Sequence, residues 1–337
     1  MKHGLKIHIL SFCYMVFFAL GCQTAIKKNN QATAILERPP FASLTDSIRL
    51  FPDNVELYSA RAQLLSRNNF HEAASADFKK AWELAPAEST AIQYASNLSI
   101  TDRPAEELRL LQECIRKFPA SGELKRMLGE AYDQSGKTKD ALRLYDSVIK
   151  NDPADYEAWY EKGILLEKLK DTARAIEALQ TAYKYQPINT FALELAHIYA
   201  ETNNELAVKL CNLVISKDSA MELTDPFFIK GIYYSNTKQY EAAVSQFDSC
   251  IRRDWKFTEA YIEKGIVLFN QKNYDVAMNT FRLAATVSNT YPDAYYWIGR
   301  CYEVIHKKEE AIEYYERAVS LDKNFVEAKA AIRRLNP

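Results

Sequence analysis

Five glycines stand in one phase of this chain. Gly129, Gly163, Gly231, Gly265 and Gly299 are separated by 34, 68, 34 and 34 residues. They are five of the seven glycines that follow residue 21. Each lies inside a stretch with helical apolar spacing, where glycine costs about 1 kcal/mol relative to alanine. A cost repeated in phase means that a second helix comes too close at that point for any side chain. A fixed period of this length is the mark of a repeat array.

Other positions recur in the same phase. A second small residue follows each glycine by twelve, at Ala141, Ala175, Ala243, Ala277 and Ala311, with Ala74 and Ala207 close to the same phase. Four residues on comes Phe78, Tyr145, Leu179, Cys211, Phe247, Phe281 or Tyr315, and three further on Ala81, Val148, Ala182, Val214, Cys250, Ala284 or Ala318. Spacings of four and three share one helix face. Pro52, Pro86, Pro119, Pro153 and Pro187 recur at 34, 33, 34 and 34 residues. They end the second helices, because proline lacks the N–H and disfavours helix in the residue before it.

The cleanest copy is residues 156–189, with Trp159, Gly163, Leu166, Ala175, Leu179, Ala182 and Pro187 in place. Leu128-Gly129, Tyr132, Gly136, Ala141, Tyr145 and Pro153 give a second full set. This pattern resembles the tetratricopeptide repeat, a helix–turn–helix unit of about 34 residues. The resemblance covers residues 55–325 as eight units: 55–88, 89–121, 122–155, 156–188, 189–223, 224–257, 258–291 and 292–325. It implies an all-α, right-handed superhelical solenoid occupying residues 41–337. Residues Phe41 to Phe51 read as a lone second helix and Val326 to Leu335 as a C-terminal cap helix with Glu327, Lys329, Arg333 and Arg334 outward. Polar end helices are what such arrays need for solubility.

Two units depart from the pattern. The second carries Ser96 in the glycine slot and Glu107 in the alanine slot, and is one residue short. The fifth reads with Ala196 in the glycine slot, where a strict count of 34 would put His197, with a deletion before Ala207 and an insertion around Met221–Pro226 that restores the phase.

The N-terminus is of another kind. Lys2 and Lys6 precede a mainly apolar run from Ile7 to Leu20. At 14 residues it is shorter than the about 20 needed to span a bilayer, and has the shape of a signal peptide. Ala19-Leu20-Gly21-Cys22 resembles the lipobox of bacterial lipoproteins, with Ala19 where that motif most often has leucine. The resemblance implies cleavage of residues 1–21 and lipidation at Cys22; the alternative is a secretory signal with an incidental cysteine. Residues 22–40, ending in Pro39-Pro40, read as the lipidated cysteine and a flexible tether able to reach roughly 60 Å when extended. Gln23, in place of the aspartate that resembles an inner-membrane retention signal, favours the outer membrane facing the periplasm.

Charge and chemistry narrow the function. The formal charge is −1, and loss of Lys2 and Lys6 with residues 1–21 takes it to −3, so no basic excess is present to hold nucleic acid. Cys114, Cys211, Cys250 and Cys301 fall on small packing positions and read as buried free thiols, with Cys211 and Cys250 the pair to test for a disulfide. His71, His197 and His306 lack metal-ligand spacing. No phosphate loop, nucleophile elbow, zinc motif or C-x-x-C pair occurs, so neither catalysis nor a cofactor is expected.

What remains is surface. The resemblance implies that first helices line a concave groove where protein or peptide partners bind. Three before, one after and four after the glycine is one helical stripe. It is polar in the first unit (Ser59, Gln63, Ser66) and turns apolar from the fourth. Tyr160, Ile164, Phe228, Ile232, Ile262, Ile266, Phe269 and Tyr296, with Arg300, are the candidate partner-binding residues. Two alternatives stay open: that tight curvature packs these residues into the core, and that Tyr160, Tyr296 and Trp297 form a stacking platform for a glycan or small ligand. A further possibility is a structural subunit of an envelope machine.

Overall fold

The computed structural model describes residues 34–220 and 222–336. Cys22 and the signal peptide expected over 1–21 lie outside the described residues. Among those described, all regular structure is helical, and the chain divides between Asp152 and Pro153 into two compact units.

Unit one opens with α1 (Ala42–Leu50) and continues as three helix pairs: α2 (Val55–Arg67) with α3 (His71–Leu84), α4 (Glu88–Ile100) with α5 (Pro104–Lys117), and α6 (Gly122–Gln134) with α7 (Thr138–Asn151). The expected tether is not free along its whole length. Ile35 and Leu36 pack against the unit-one core, and the Thr45 hydroxyl donates to the Leu36 carbonyl at 2.8 Å. The same hydroxyl accepts from Arg61 Nη1 at 2.9 Å, while Arg61 Nε and Nη2 donate to the two carboxylate oxygens of Asp77 at 2.7 and 2.8 Å. Both charged side chains are 8% exposed, so the pair is buried and bidentate.

Unit two contains five pairs and a cap. These are α8 (Tyr156–Lys168) with α9 (Thr172–Tyr185), α10 (Asn189–Glu201) with α11 (Leu206–Lys217), α12 (Asp225–Asn236) with α13 (Tyr240–Arg253), α14 (Thr258–Asn270) with α15 (Tyr274–Val287), and α16 (Pro292–Val304) with α17 (Lys308–Leu321). The final helix α18 (Val326–Leu335) buries Ala328 and Ala331.

The glycine slots have a direct cause. A Cβ on Gly265 would lie 2.3 Å from Cε1 of Phe281, and one on Gly231 would lie 2.4 Å from Cε1 of Phe247. The large residue sixteen positions on, in the second helix of the same pair, lies across the glycine. Phe247 and Phe281 are thereby fully buried, which contributes about 1.5–3 kcal/mol each. Where the slot holds alanine, Phe78, Leu111 or Cys211 occupies the facing position.

One register is corrected. Ala95 is fully buried and Ser96 exposed, so Ala95 holds the small slot of the second repeat, and the missing residue lies before it. Glu107 does occupy the alanine slot, only 7% exposed, and burial followed by the charge of Glu130 raises its carboxyl. In the fifth repeat Ala196 and Ala207 are both fully buried, as the deletion requires.

The turns within pairs share one device. Asn69, Asp102, Gly136, Lys170, Asn203, Lys238, Lys272 and His306 all have φ between 53° and 77°. The next residue donates back to a carbonyl of the first helix: Asp171 N to Leu166 O at 2.9 Å, Gln239 N to Tyr234 O at 2.8 Å, Asn273 N to Leu268 O at 3.0 Å. This is the left-handed cap that satisfies end carbonyls. The loops between pairs are tied by an aromatic four residues before the slot: Trp159 Nε1 donates to Pro153 O at 2.9 Å and the Tyr261 hydroxyl to Trp255 O at 3.1 Å.

Candidate functional site

The first helices of unit two stand side by side, α10 against α12, α12 against α14 and α14 against α16. Asn236 Nδ2 reaches from α12 to the Ala200 carbonyl of α10 at 3.2 Å, and His197 Nδ1 lies 3.7 Å from Glu167 Oε1 on α8. Their remaining face carries the candidate residues.

The structure separates those residues into three groups. Ile232 and Ile262 are 9% and 5% exposed and belong to the core. They are corrected from groove anchors to packing residues: each first helix has a neighbour on both sides, and the open arc is narrower than the stripe. Tyr160 and Phe228 are half-buried but apart. Tyr160 stacks on Phe191 with centroids 4.6 Å apart, and burial, then Glu194, pushes its hydroxyl up to about 12. Phe228 lies between Phe257 at 5.0 Å and Phe247 at 5.8 Å. Ile164 is half-buried on α8.

The third group is a true constellation. Ile266 and Phe269 are half-buried against the α14–α16 core. Phe269 meets Trp297 edge-on at 5.5 Å, and Trp297 meets Tyr296 at 5.6 Å. The Arg300 guanidinium lies 5.5, 5.4 and 6.0 Å from the centroids of Phe269, Trp297 and Tyr296, and Nη1 donates to the Tyr296 hydroxyl at 3.3 Å. A half-buried guanidinium among aromatic rings is the kind of anchor on which interfaces concentrate their energy. Next to it is a depression of about 440 Å³ lined by Tyr296, Arg300, Glu303, Glu327, Ala331 and Arg334. Arg334 donates to Glu303 at 2.7 Å and the Tyr315 hydroxyl donates to it at 2.6 Å. Burial alone would raise the Glu303 carboxyl, but these bonds outweigh it and hold it below its ordinary value. One face of Trp297 is already stacked on Phe281 at 5.6 Å, which takes that face from any ligand.

The same face also carries carboxylates that the spacing of small and apolar residues did not single out. Burial, then Glu201 and Asp293, raises Glu263 to about 7. Burial, then Glu167, raises Glu194, and burial raises Asp293. The available signal was positional: Glu194 and Glu263 both lie two residues before the small slot.

The four cysteines are free and buried, and burial pushes each thiol up to about 12, so none is poised as a nucleophile. Among the described residues no His/Cys/Asp/Glu group is arranged to hold a metal ion, and no helix is long and apolar enough to cross a membrane.

Residues 126–189 and 292–325 each match a family described as "Tetratricopeptide repeat". No curated protein matches the sequence. Among solved structures, a chain of the APC/C hetero-tetramer Cut9–Hcn1 superposes with a TM-score of 0.56 at 17% identity, covering 87% of this chain and 58% of that one. A tetratricopeptide repeat protein from Parabacteroides merdae ATCC 43184 gives a TM-score of 0.50 at 14% identity, covering 84% of this chain and 99% of that one. This chain therefore spans little more than half the length of the first, and at these identities the likeness is one of fold.

Proposed function

We propose that this chain, which matches the tetratricopeptide repeat over residues 126–189 and 292–325, is a non-catalytic protein-interaction scaffold that holds a peptide segment of a protein partner against the first-helix face of unit two. The observation that carries this reading is the half-open cluster of Phe269, Tyr296, Trp297 and Arg300. Its rings and guanidinium are packed well enough to be rigid and exposed enough to be met. The deciding experiment compares pull-downs by the wild type, Ile266→Asp and Phe269→Ser, each with its melting temperature. Lost binding at an unchanged melting temperature supports a docking face, whereas a collapse in stability assigns these residues to the core.

We place the protein at a bacterial cell envelope, anchored through lipid on Cys22 at the outer membrane and facing the periplasm, where it supports assembly of an envelope complex. The support is the sequence alone: the short apolar run to Leu20, the Gly21-Cys22 junction and Gln23. Two acyl chains anchor stably where one does not. Cys22→Ser is expected to move the protein out of the membrane fraction and to abolish incorporation of labelled palmitate. Retention of both would remove the anchor from the account.

A further inference from the structure

The first helices of unit two distribute charge unevenly around their axes. Two of their lysines turn away from the open face: Lys264, one residue before Gly265, donates to Asp248 on the preceding second helix at 2.6 Å, and Lys230, one before Gly231, donates to Asn212 at 3.0 Å. Carboxylates take the other side. Glu259 and Glu263 are four apart on α14, one turn above another. Asp225 and Asp293 hold the position of Glu259 on α12 and α16, and Glu194 holds that of Glu263 on α10. Glu201 follows Glu194 by seven residues on the same stripe.

These groups face one another across helices. Glu263 on α14 feels Glu201 on α10 and Asp293 on α16, and Glu194 on α10 feels Glu167 on α8, the opposing His197 one turn away, and Asp225 on α12. Burial, then the charge of Glu259, raises the Tyr291 hydroxyl. None of the six has an ion-pair partner among the described residues. The bases on this stripe are Lys168, His197 and Arg300, and Arg300 is enclosed by aromatic rings at the far end. Glu194, Glu263 and Asp293 are half-buried while Glu201, Asp225 and Glu259 are exposed, and like charges near the half-buried three oppose folding. The carboxylates are too dispersed to chelate one ion, since no metal-holding group exists among the described residues. Spread over four helices beside Phe228, Ile266 and Phe269, they match an extended ligand with several positive charges between apolar side chains.

We infer that the segment bound on the first-helix face of unit two is a basic one, in which lysine or arginine side chains meet the carboxylates of Glu194, Glu201, Asp225, Glu259, Glu263 and Asp293 while apolar side chains meet the aromatic cluster. This rests on the docking face proposed above and adds the chemistry of its occupant. An acidic tail is repelled by the same face.

The test uses the full chain and three fluorescent, end-blocked decapeptides that alternate leucine with lysine, glutamine or glutamate. The lysine peptide binds most tightly, weakens steeply between low and physiological salt, and the glutamate peptide does not bind. Glu194→Gln with Glu263→Gln and Asp293→Asn weakens the lysine peptide at least tenfold. Glu177→Gln with Glu241→Gln and Glu316→Gln removes equal charge from exposed second-helix positions and changes it less than twofold. Glu201→Lys, at an exposed position, weakens the lysine peptide without threatening the fold. Equal binding of the lysine peptide by the wild type and the first triple variant overturns the inference. So does preference for the glutamate peptide. If the glutamine peptide binds, is lost in Phe269→Ser and ignores the triple variant, the docking face stands and its charge selection falls. If no peptide binds, both fall.

Discussion

At the scale of single residues, the array is held by contacts that leave no room for a Cβ. Gly265→Ala must displace the Phe281 ring, which is fully buried and cannot swing clear. The expected loss is about 2–4 kcal/mol in a denaturant titration, within the range of overpacked cores and exceptional single changes. Gly136→Ala is the control: nothing lies within 4 Å, but φ is +77°, so the loss is only about 1 kcal/mol. Glu263 makes a second prediction. Its folded value of about 7 lies above the ordinary 4.5. The cost of holding its charge is therefore absent below pH 4.5, grows as pH rises, and is complete above 7. Glu263→Gln is expected to be more stable than the wild type at pH 8, by up to about 3 kcal/mol, with the gap closing as the pH falls to 4.5. A gap independent of pH would show that the carboxyl is not desolvated. The two kinds of residue differed in legibility. A glycine in phase has one physical reason and can be read from spacing alone. A glutamate has two, solvated face or strained charge, and only its neighbours on other helices decide between them.

At the scale of elements, turns and end contacts set stability. Lys170, Lys238 and Lys272 adopt the left-handed conformation at φ 62°, 62° and 64°. Lys238→Gly and Lys272→Gly are each expected to raise stability by roughly 0.5–1 kcal/mol, the strain relieved exceeding the added freedom of the unfolded chain. A loss in thermal unfolding would mean that the lysine stems contribute packing instead. In unit one, Arg61→Met leaves Asp77 buried without its bidentate partner. The expected cost is about 3–5 kcal/mol, with hydrogen exchange rising first around Thr45 and Leu36, which share the network. Helix pairs were legible because a period of three to four residues, closed by a terminal proline as far as Pro187, leaves few alternatives. The turns were not: only Gly136 declares its backbone, while seven non-glycine residues adopt the same shape under the constraint of the flanking helices. The second repeat was misread by one position because Ala95 and Ser96 are both small, and only packing distinguishes the residue that meets Leu111 from the one that meets water.

At the scale of the whole molecule, the account assigns one task to unit two: its first helices present Phe269, Tyr296, Trp297 and Arg300, with a surrounding field of carboxylates, to a partner. The candidate stripe was half legible. Phe269, Tyr296 and Arg300 do converge, because residues four apart on α16 meet the end of α14. Ile232 and Ile262 do not join them, because a neighbouring helix already covers their side of the stripe. The most direct test is photo-crosslinking in cells from a benzoylphenylalanine placed at Ser235, on the first-helix face of α12, or at Leu283, which is 55% exposed on the second helix α15. The account predicts that Ser235 captures one defined segment of a partner, mapped by mass spectrometry, and that Leu283 captures none. A partner segment captured from Leu283 and none from Ser235 would contradict it.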